Sequence, residues 1–238
     1  MGRATALDFA KEGAKGIVLV SRTEAKLEEF AKEIEALGSK AIIVAGDVTK
    51  EATAQDMVKA ATDNFDGQLD AAFLNAGSVG MKPIVELTDE DIDGMFDSNL
   101  KSVVYGLKHI LPAMKASKGN GSVIVNTSVM GNIARAPFAG ASMYSASKAA
   151  AEMLVKYAAI EAAADGTRVN SIAPGIVATN LMGMDKATAD GFASDKQLMG
   201  RSGESDEIAK VVTMLASDDG SFMTGSSVAA DGGWLLKA

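Results

Sequence analysis

Tyr144 and Lys148 stand four residues apart in the run Tyr144-Ser145-Ala146-Ser147-Lys148. On a helix, residues at i and i+4 share one face. An ammonium beside a phenol favours the phenolate, so the spacing predicts a tyrosine pKa lowered from about 10 towards the working range. Such a phenol could give or take the proton on a substrate oxygen. The pair alone fits an ordinary surface contact equally well. Ser128, just after the apolar run Ser122–Asn126, could hydrogen-bond the same oxygen; strand-end and capping serines are also common, and Thr127 is an alternative hydroxyl. Asn126-Thr127-Ser128 matches a glycosylation pattern, read here as accidental because it closes a buried strand. Asn99 lies in a long apolar helical stretch, where asparagine competes with the backbone. It predicts either a local kink whose side chain holds a water or a solvent-facing residue.

Other candidates end predicted strands. Leu74-Asn75-Ala76-Gly77 and Gly46-Asp47-Val48 combine small residues with a carboxylate, which suits close approach by an adenosine as well as plain turn chemistry. Pro174-Gly175-Ile176-Val177-Ala178-Thr179 would form a rigid turn offering backbone groups and a hydroxyl. The single histidine, His109, sits among apolar residues, and there is no cysteine, so Cys-ligated metals, thiolate nucleophiles and disulfides are excluded.

The elements that must position these residues alternate. A helix over 3–12 precedes the strand Ile17–Val20. Thr23 is placed as the cap of a helix with apolar Leu27, Phe30, Ile34 and Leu37, ended by Gly38. Strand 41–45, helix 50–65 and strand 69–74 follow. A helical region over 87–115 opens on the Thr88/Asp91 capping pattern. Strand 122–126, an alanine-rich helix over 142–164, strand 168–172, a less regular helical segment 180–202, helix 205–216 and strand 227–230 complete the chain. Short, continuously apolar strands between helices mean strands buried on both faces. The predicted fold is therefore α/β, a doubly wound parallel sheet with helices on both faces, in one domain spanning 1–238. Ligands of such folds bind at the carboxyl ends of the strands, where most of the candidates lie.

Composition agrees. Hydrophobic residues make up 47% of the 238, enough for a sizeable core. The net charge of −8 argues against a general nucleic-acid surface. No apolar run reaches the ~18 residues needed for a bilayer, and the amphipathic start does not read as a signal peptide. The cysteine-free sequence fits a reducing, cytoplasmic compartment.

Taken together, these residues resemble the short-chain dehydrogenase/reductase family. The matching elements are Asp47-Val48, Asn75-Ala76-Gly77, Asn99, Ser128, Tyr144-x-x-x-Lys148, Arg168-Val169-Asn170, Pro174-Gly175 with Thr179, and Thr224-Gly225 before Asp231-Gly232-Gly233. They occur in the family's order over nearly the whole chain. The resemblance implies hydride transfer between a nicotinamide cofactor and a ketone or secondary alcohol. It makes Tyr144 the general acid/base and has Lys148 lower its pKa and bind the nicotinamide ribose. Ser128 would orient the carbonyl, and Asn99 would hold a water in a proton relay. Asp47 and Val48 would contact the adenine, Asn75, Ala76 and Gly77 would line the cofactor, and Pro174, Gly175, Val177 and Thr179 would form the turn meeting the carboxamide. It makes 180–202 a substrate lid and a homodimer or homotetramer the default. Ser21-Arg22 follows the strand where NAD enzymes of the family carry an acid; a guanidinium there can bind a 2′-phosphate, so NADP(H) is expected over NAD(H).

Two departures stand out. The gap from Ser128 to Tyr144 is longer than is usual, through the loop Pro137-Phe138-Ala139-Gly140. The family also opens with a strand and a Thr-Gly-x-x-x-Gly-x-Gly turn, of which Met1-Gly2 resembles the last two residues. That strand belongs mid-sheet, and its turn supplies N–H groups to the pyrophosphate. Without the strand, its neighbours must pair directly or leave unpaired buried groups, each costing about 1–3 kcal/mol. The expectation is a natural chain that extends upstream. The alternatives are an ordered part of a longer chain, or an inactive relative serving as a structural or binding subunit.

Overall fold

The structure is a computed structural model that describes residues 1–117, 120–135, 138–179, 181 and 183–237. Helix α1 (Gly2–Lys11) leads into β1 (Gly16–Ser21), α2 (Glu24–Ala36), β2 (Lys40–Ala45), α3 (Glu51–Asn64) and β3 (Ala71–Leu74). Then come α4 (Asp89–Phe96), α5 (Ser102–Ala116), β4 (Ser122–Asn126), α6 (Ser142–Ala162), β5 (Arg168–Pro174), α7 (Lys186–Ala193), α8 (Ser205–Ala216) and β6 (Ser227–Ala230). All strand pairings are parallel, in the orders β1-β2 and β3-β4-β5-β6. The predicted single sheet is thus in two parts. β1 and β3 do not pair; a cavity of about 1780 Å³ is lined by residues of both and continues past the strand ends.

The apolar alternation of β4 explains the layering. Val123 and Val125 face α5 and α6, packing with Leu107, Ile110, Met114 and Val155. Ile124 faces the other way, against Ile208, Val212 and Leu215 of α8. Each such fully buried aliphatic side chain contributes about 1.5–3 kcal/mol. On the first part of the sheet, Leu19 packs with Ala6 and Ala10 of α1 and Leu27 and Ile34 of α2.

Several local expectations change. Thr23 occupies the N-cap of α2, but its side chain makes no cap bond; its N–H donates instead to Ser21 Oγ at 3.3 Å. Thr88 and Asp91 do form a complete capping box. The region predicted as one helix over 87–115 is α4 and α5 joined by a π-helical turn, Asp97–Lys101, with Asn99 at its centre. One added residue per turn is the kink that asparagine predicted. Of the segment 180–202, only Lys186–Ala193 is α-helical, and Asn180 and Met182 lie outside the described residues. In the long loop, Pro137 likewise lies outside them.

Arg168, Asn170 and Thr224, matched by resemblance, are structural. Arg168 donates to the carbonyls of Leu215 (2.7 Å) and Gly220 (2.8 Å), closing the exposed carboxyl end of α8. Asn170 Nδ2 donates to Met223 O at 2.7 Å, and Thr224 Oγ1 accepts from Val169 N at 3.1 Å.

Candidate active site

The carboxyl ends of β1, β3, β4 and β5 open on the cavity. Ser128, Tyr144 and Lys148 all line it. Ser128 caps the 3₁₀ turn Val129–Gly131, with its Oγ accepting from Met130 N at 3.2 Å, so its own proton is free to be donated. That turn lies hard against α6. A Cβ on Gly131 would come within 3.0 Å of Ala149 N and Lys148 C, so only glycine lets the Ser128 turn approach the helix that carries Tyr144 and Lys148.

Lys148 is 4% exposed, and Nζ donates to Asn126 O at 2.8 Å. Burial pulls its pKa from an ordinary 10.5 down to about 8, opposed by the charge of Glu152. The predicted fall in the Tyr144 pKa is not found. Burial raises it, and the hydrogen bond with Ser128 only partly offsets this. The physical reason is that removing water penalises both charged forms. Nζ lies 5.9 Å from the Tyr144 ring centroid and is directed to the Asn126 carbonyl.

Asn99 is 1% exposed and does not line the cavity. Its Oδ1 accepts from Ser78 N at 2.9 Å, and Nδ2 donates to Ser78 O and Ser147 Oγ, each at 3.0 Å. The amide is therefore spent on protein and ties the segment after β3 to α6. Gly77 fits tightly inside that clamp: a Cβ would lie 2.7 Å from Asn99 Oδ1 and 3.3 Å from Lys148 Nζ.

The cofactor candidates divide. Gly2, Ser21 and Val48 line the cavity, as do Asn75, Ala76 and Gly77, and Pro174, Gly175, Val177 and Thr179. Arg22 and Asp47 lie outside the lining; Arg22 is exposed directly after β1. Asp47 Oδ1 accepts from Thr49 N at 3.0 Å, which with the Thr49 hydroxyl and weaker help from Lys50 and Arg22 lowers its pKa.

The residues present fit a dinucleotide at its nicotinamide end. Asn126 Oδ1 is buried in the lining without a protein partner, while its Nδ2 donates to Asn75 Oδ1 at 3.2 Å. Lys148 uses one of its three N–H groups on Asn126 O and borders the same space. At the phosphate end, Met1 and Gly2 bring the N-terminus of α1 into the lining. The His109 ring on α5, by contrast, meets Glu51 Oε1 of α3 at 2.9 Å and does not line the cavity.

Sequence reasoning missed Glu152. It is 6% exposed, and its carboxylate takes hydrogen bonds from Ser171 Oγ (2.7 Å), Ser227 Oγ (2.9 Å) and Thr127 Oγ1. One buried acid thus joins α6 to β5, β6 and the residue following β4. The signal was available, because Glu152 continues the four-residue spacing of Tyr144 and Lys148 on one helix face. An aromatic group beside Tyr144 was also missed: Phe138, Phe192 and Trp234 converge from three separate segments, which no local spacing reveals.

Comparison with known proteins agrees with this geometry. The family model described as "Enoyl-(Acyl carrier protein) reductase" matches residues 1–235. The chain is 34% identical over 239 residues to a glucose 1-dehydrogenase of Gluconobacter oxydans (strain 621H), covering 99% of this chain and 88% of that one. It is 34% identical over 243 residues to a cyclopentanol dehydrogenase of Comamonas testosteroni, covering 100% and 93%. A crystal structure of a short-chain type dehydrogenase/reductase from Mycobacterium marinum superposes with a TM-score of 0.91 at 32% identity, over 98% of this chain and 90% of that one. The chain belongs to the short-chain dehydrogenase/reductase family, the nicotinamide-dependent oxidoreductases.

Proposed function

We propose that the protein reduces a ketone to a secondary alcohol, or runs the reverse reaction, with NADP(H) as cofactor and Tyr144 as general acid/base. The observation that carries this reading is that Ser128, Tyr144 and Lys148 line one cavity, with Ser128 hydrogen-bonded to Tyr144 and Lys148 Nζ 5.9 Å from the Tyr144 ring. When bound, the nicotinamide supplies or receives the hydride. Ser128 offers a hydrogen bond from its hydroxyl to the substrate oxygen without giving up its proton, while its own oxygen accepts from Met130 N. Tyr144 donates a proton to that oxygen as the carbon gains the hydride. A phenol whose pKa is raised by burial stays protonated at neutral pH, ready for that donation. Lys148 holds the ribose and stabilises the phenolate left behind. Asn99 acts on the site by fixing the Asn75–Ser78 segment.

Asn75, Ala76 and Gly77, with the turn from Pro174 to Thr179, border the cofactor, and Asp47 and Val48 contact the adenine, Val48 from within the lining. Exposed Arg22 next to Ser21 supports the NADP(H) preference. The lid role of 180–202 is supported by Leu181 and Phe192, which enter the lining. Met153, Tyr157 and Ile160 form an exposed apolar stripe on α6, which supports a homodimer or homotetramer. No helix among the described residues is long and apolar enough to cross a membrane, and the cysteine-free sequence suits the cytoplasm.

Turnover with NADPH deuterated at the reactive carbon tests the reading. Deuterium on the carbinol carbon of the product is expected. Binding of cofactor and ketone with no transfer would instead support an inactive, binding role.

A further inference from the structure

We infer that the substrate is an uncharged ketone or secondary alcohol whose carbon body, a compact ring or branched alkyl group, lies against an aromatic wall formed by Phe138, Phe192 and Trp234. The inference rests on the hydride-transfer reading of the same site and names what that reading leaves open.

The wall is well defined. The Phe138 ring meets Phe192 edge-on, with centroids 5.5 Å apart, and Trp234 at a tilt, 5.0 Å apart. All three line the cavity and pack in one cluster with Val129, Met130 and Tyr144. Trp234 is 4% exposed, while Phe138 and Phe192 are half-buried and present open ring surface. The wall is also braced. Asp231 accepts from Gly233 N (2.9 Å) and Leu235 N (2.8 Å), fixing the turn that carries Trp234. A rigid apolar surface facing a proton donor is what orients a carbonyl by its carbon end.

Charge decides the class. Beyond Lys148, the charged residues of the lining fall in segments 1–33 and 66–70, or at Asp206, whose charge acts on the Met1 ammonium. None lies on the aromatic side. Three nearby cations are directed elsewhere: Arg135 Nη2 donates to Trp234 O at 2.9 Å, Lys196 is paired with Asp195 at 2.7 Å while stacking over Phe192, and Lys237 Nζ donates to Gln197 O at 3.4 Å. None of the three lines the cavity. An ionised carboxylate or phosphate on the substrate would therefore be buried unpaired against aromatic rings, which opposes its binding. An apolar ring gains from the same contact.

Trp234 is the only tryptophan, so its fluorescence reports on this wall without turnover. The test uses the protein saturated with NADP⁺ and two ligands of matched shape, 4-methylcyclohexanone and 4-oxocyclohexanecarboxylate. Each is titrated by Trp234 emission, and each is then assayed for reduction with NADPH. The methyl compound is expected to bind at least about 30-fold more tightly and to be the one turned over. Phe138→Ala should weaken its binding about tenfold while leaving NADPH affinity unchanged. Equal or tighter binding of the carboxylate overturns the inference, as does turnover confined to charged or polyhydroxy carbonyls. Selective binding of the methyl compound without turnover upholds the wall and rejects the hydride-transfer reading.

Discussion

Lys148 should weaken the fold at neutral pH, and by a calculable amount. Burial lowers its pKa from 10.5 to about 8, so the folded protein binds a proton less readily there than the unfolded chain does. Below about pH 8 both states are protonated, and the folded state carries the full penalty. Between 8 and 10.5 the unfolded chain keeps its proton while the folded chain sheds it, so stability from this group rises with pH. One pKa unit corresponds to about 1.4 kcal/mol, and integrating from pH 7 to pH 10 gives a gain of about 2.5 kcal/mol. Lys148→Met removes the titration and also the hydrogen bond to Asn126 O, but that second loss does not vary with pH. The stability of the wild type relative to Lys148→Met should therefore increase by about 2.5 kcal/mol over this window. Urea unfolding followed by far-UV circular dichroism measures it. Burial raises the Tyr144 pKa in the folded state, its titration in the unfolded chain is common to wild type and variant, and the absence of cysteine removes thiol chemistry. A difference that stays constant across the window would refute the burial argument.

Three further outcomes concern Glu152 and Arg22. Glu152→Leu strips the shared acceptor from the hydroxyls of Thr127, Ser171 and Ser227 and should cost about 3 kcal/mol in urea unfolding, with Glu152→Gln losing less. Glu152→Gln should also lower the pKa of Lys148 further, seen as a downward shift of the window just described. Arg22→Asp should change the ratio of NADPH to NADH affinity by at least about 30-fold towards NADH, measured by direct titration; an unchanged ratio would reject Arg22 as the 2′-phosphate ligand.

Most of the architecture was legible because each element carries its own signal. β4 and α8 fall on the residues their apolar patterns predict, since β4 is buried throughout and α8 buries the face carrying Ile208, Ala209, Val212 and Leu215. Gly38 ends α2 with a positive φ of 93°, as its position suggested. Thr23 sits at the N-cap of α2 with its hydroxyl unused by the helix. The other departures come from tertiary contacts. The predicted helix over 87–115 is interrupted by a π-helical turn at Asn99, whose amide is bonded to Ser78 and to Ser147, the latter on another helix. For the site, spacing on one helix revealed Tyr144 and Lys148 as a pair but assigned the wrong sign to the tyrosine shift. Proximity in sequence contains no measure of how much water is excluded. The aromatic wall was invisible for a related reason: Phe138, Phe192 and Trp234 are brought together only when the loop before α6, helix α7 and the segment after β6 have folded.

The catalytic assignment is tested most directly by single-turnover oxidation of bound NADPH with a saturating apolar ketone, comparing wild type and Tyr144→Phe. The phenylalanine keeps the ring and its packing and removes only the proton donor. The account predicts a rate at least about a thousandfold lower with cofactor affinity unchanged, the scale of a lost general acid. A variant that transfers hydride within a few fold of the wild-type rate would contradict it.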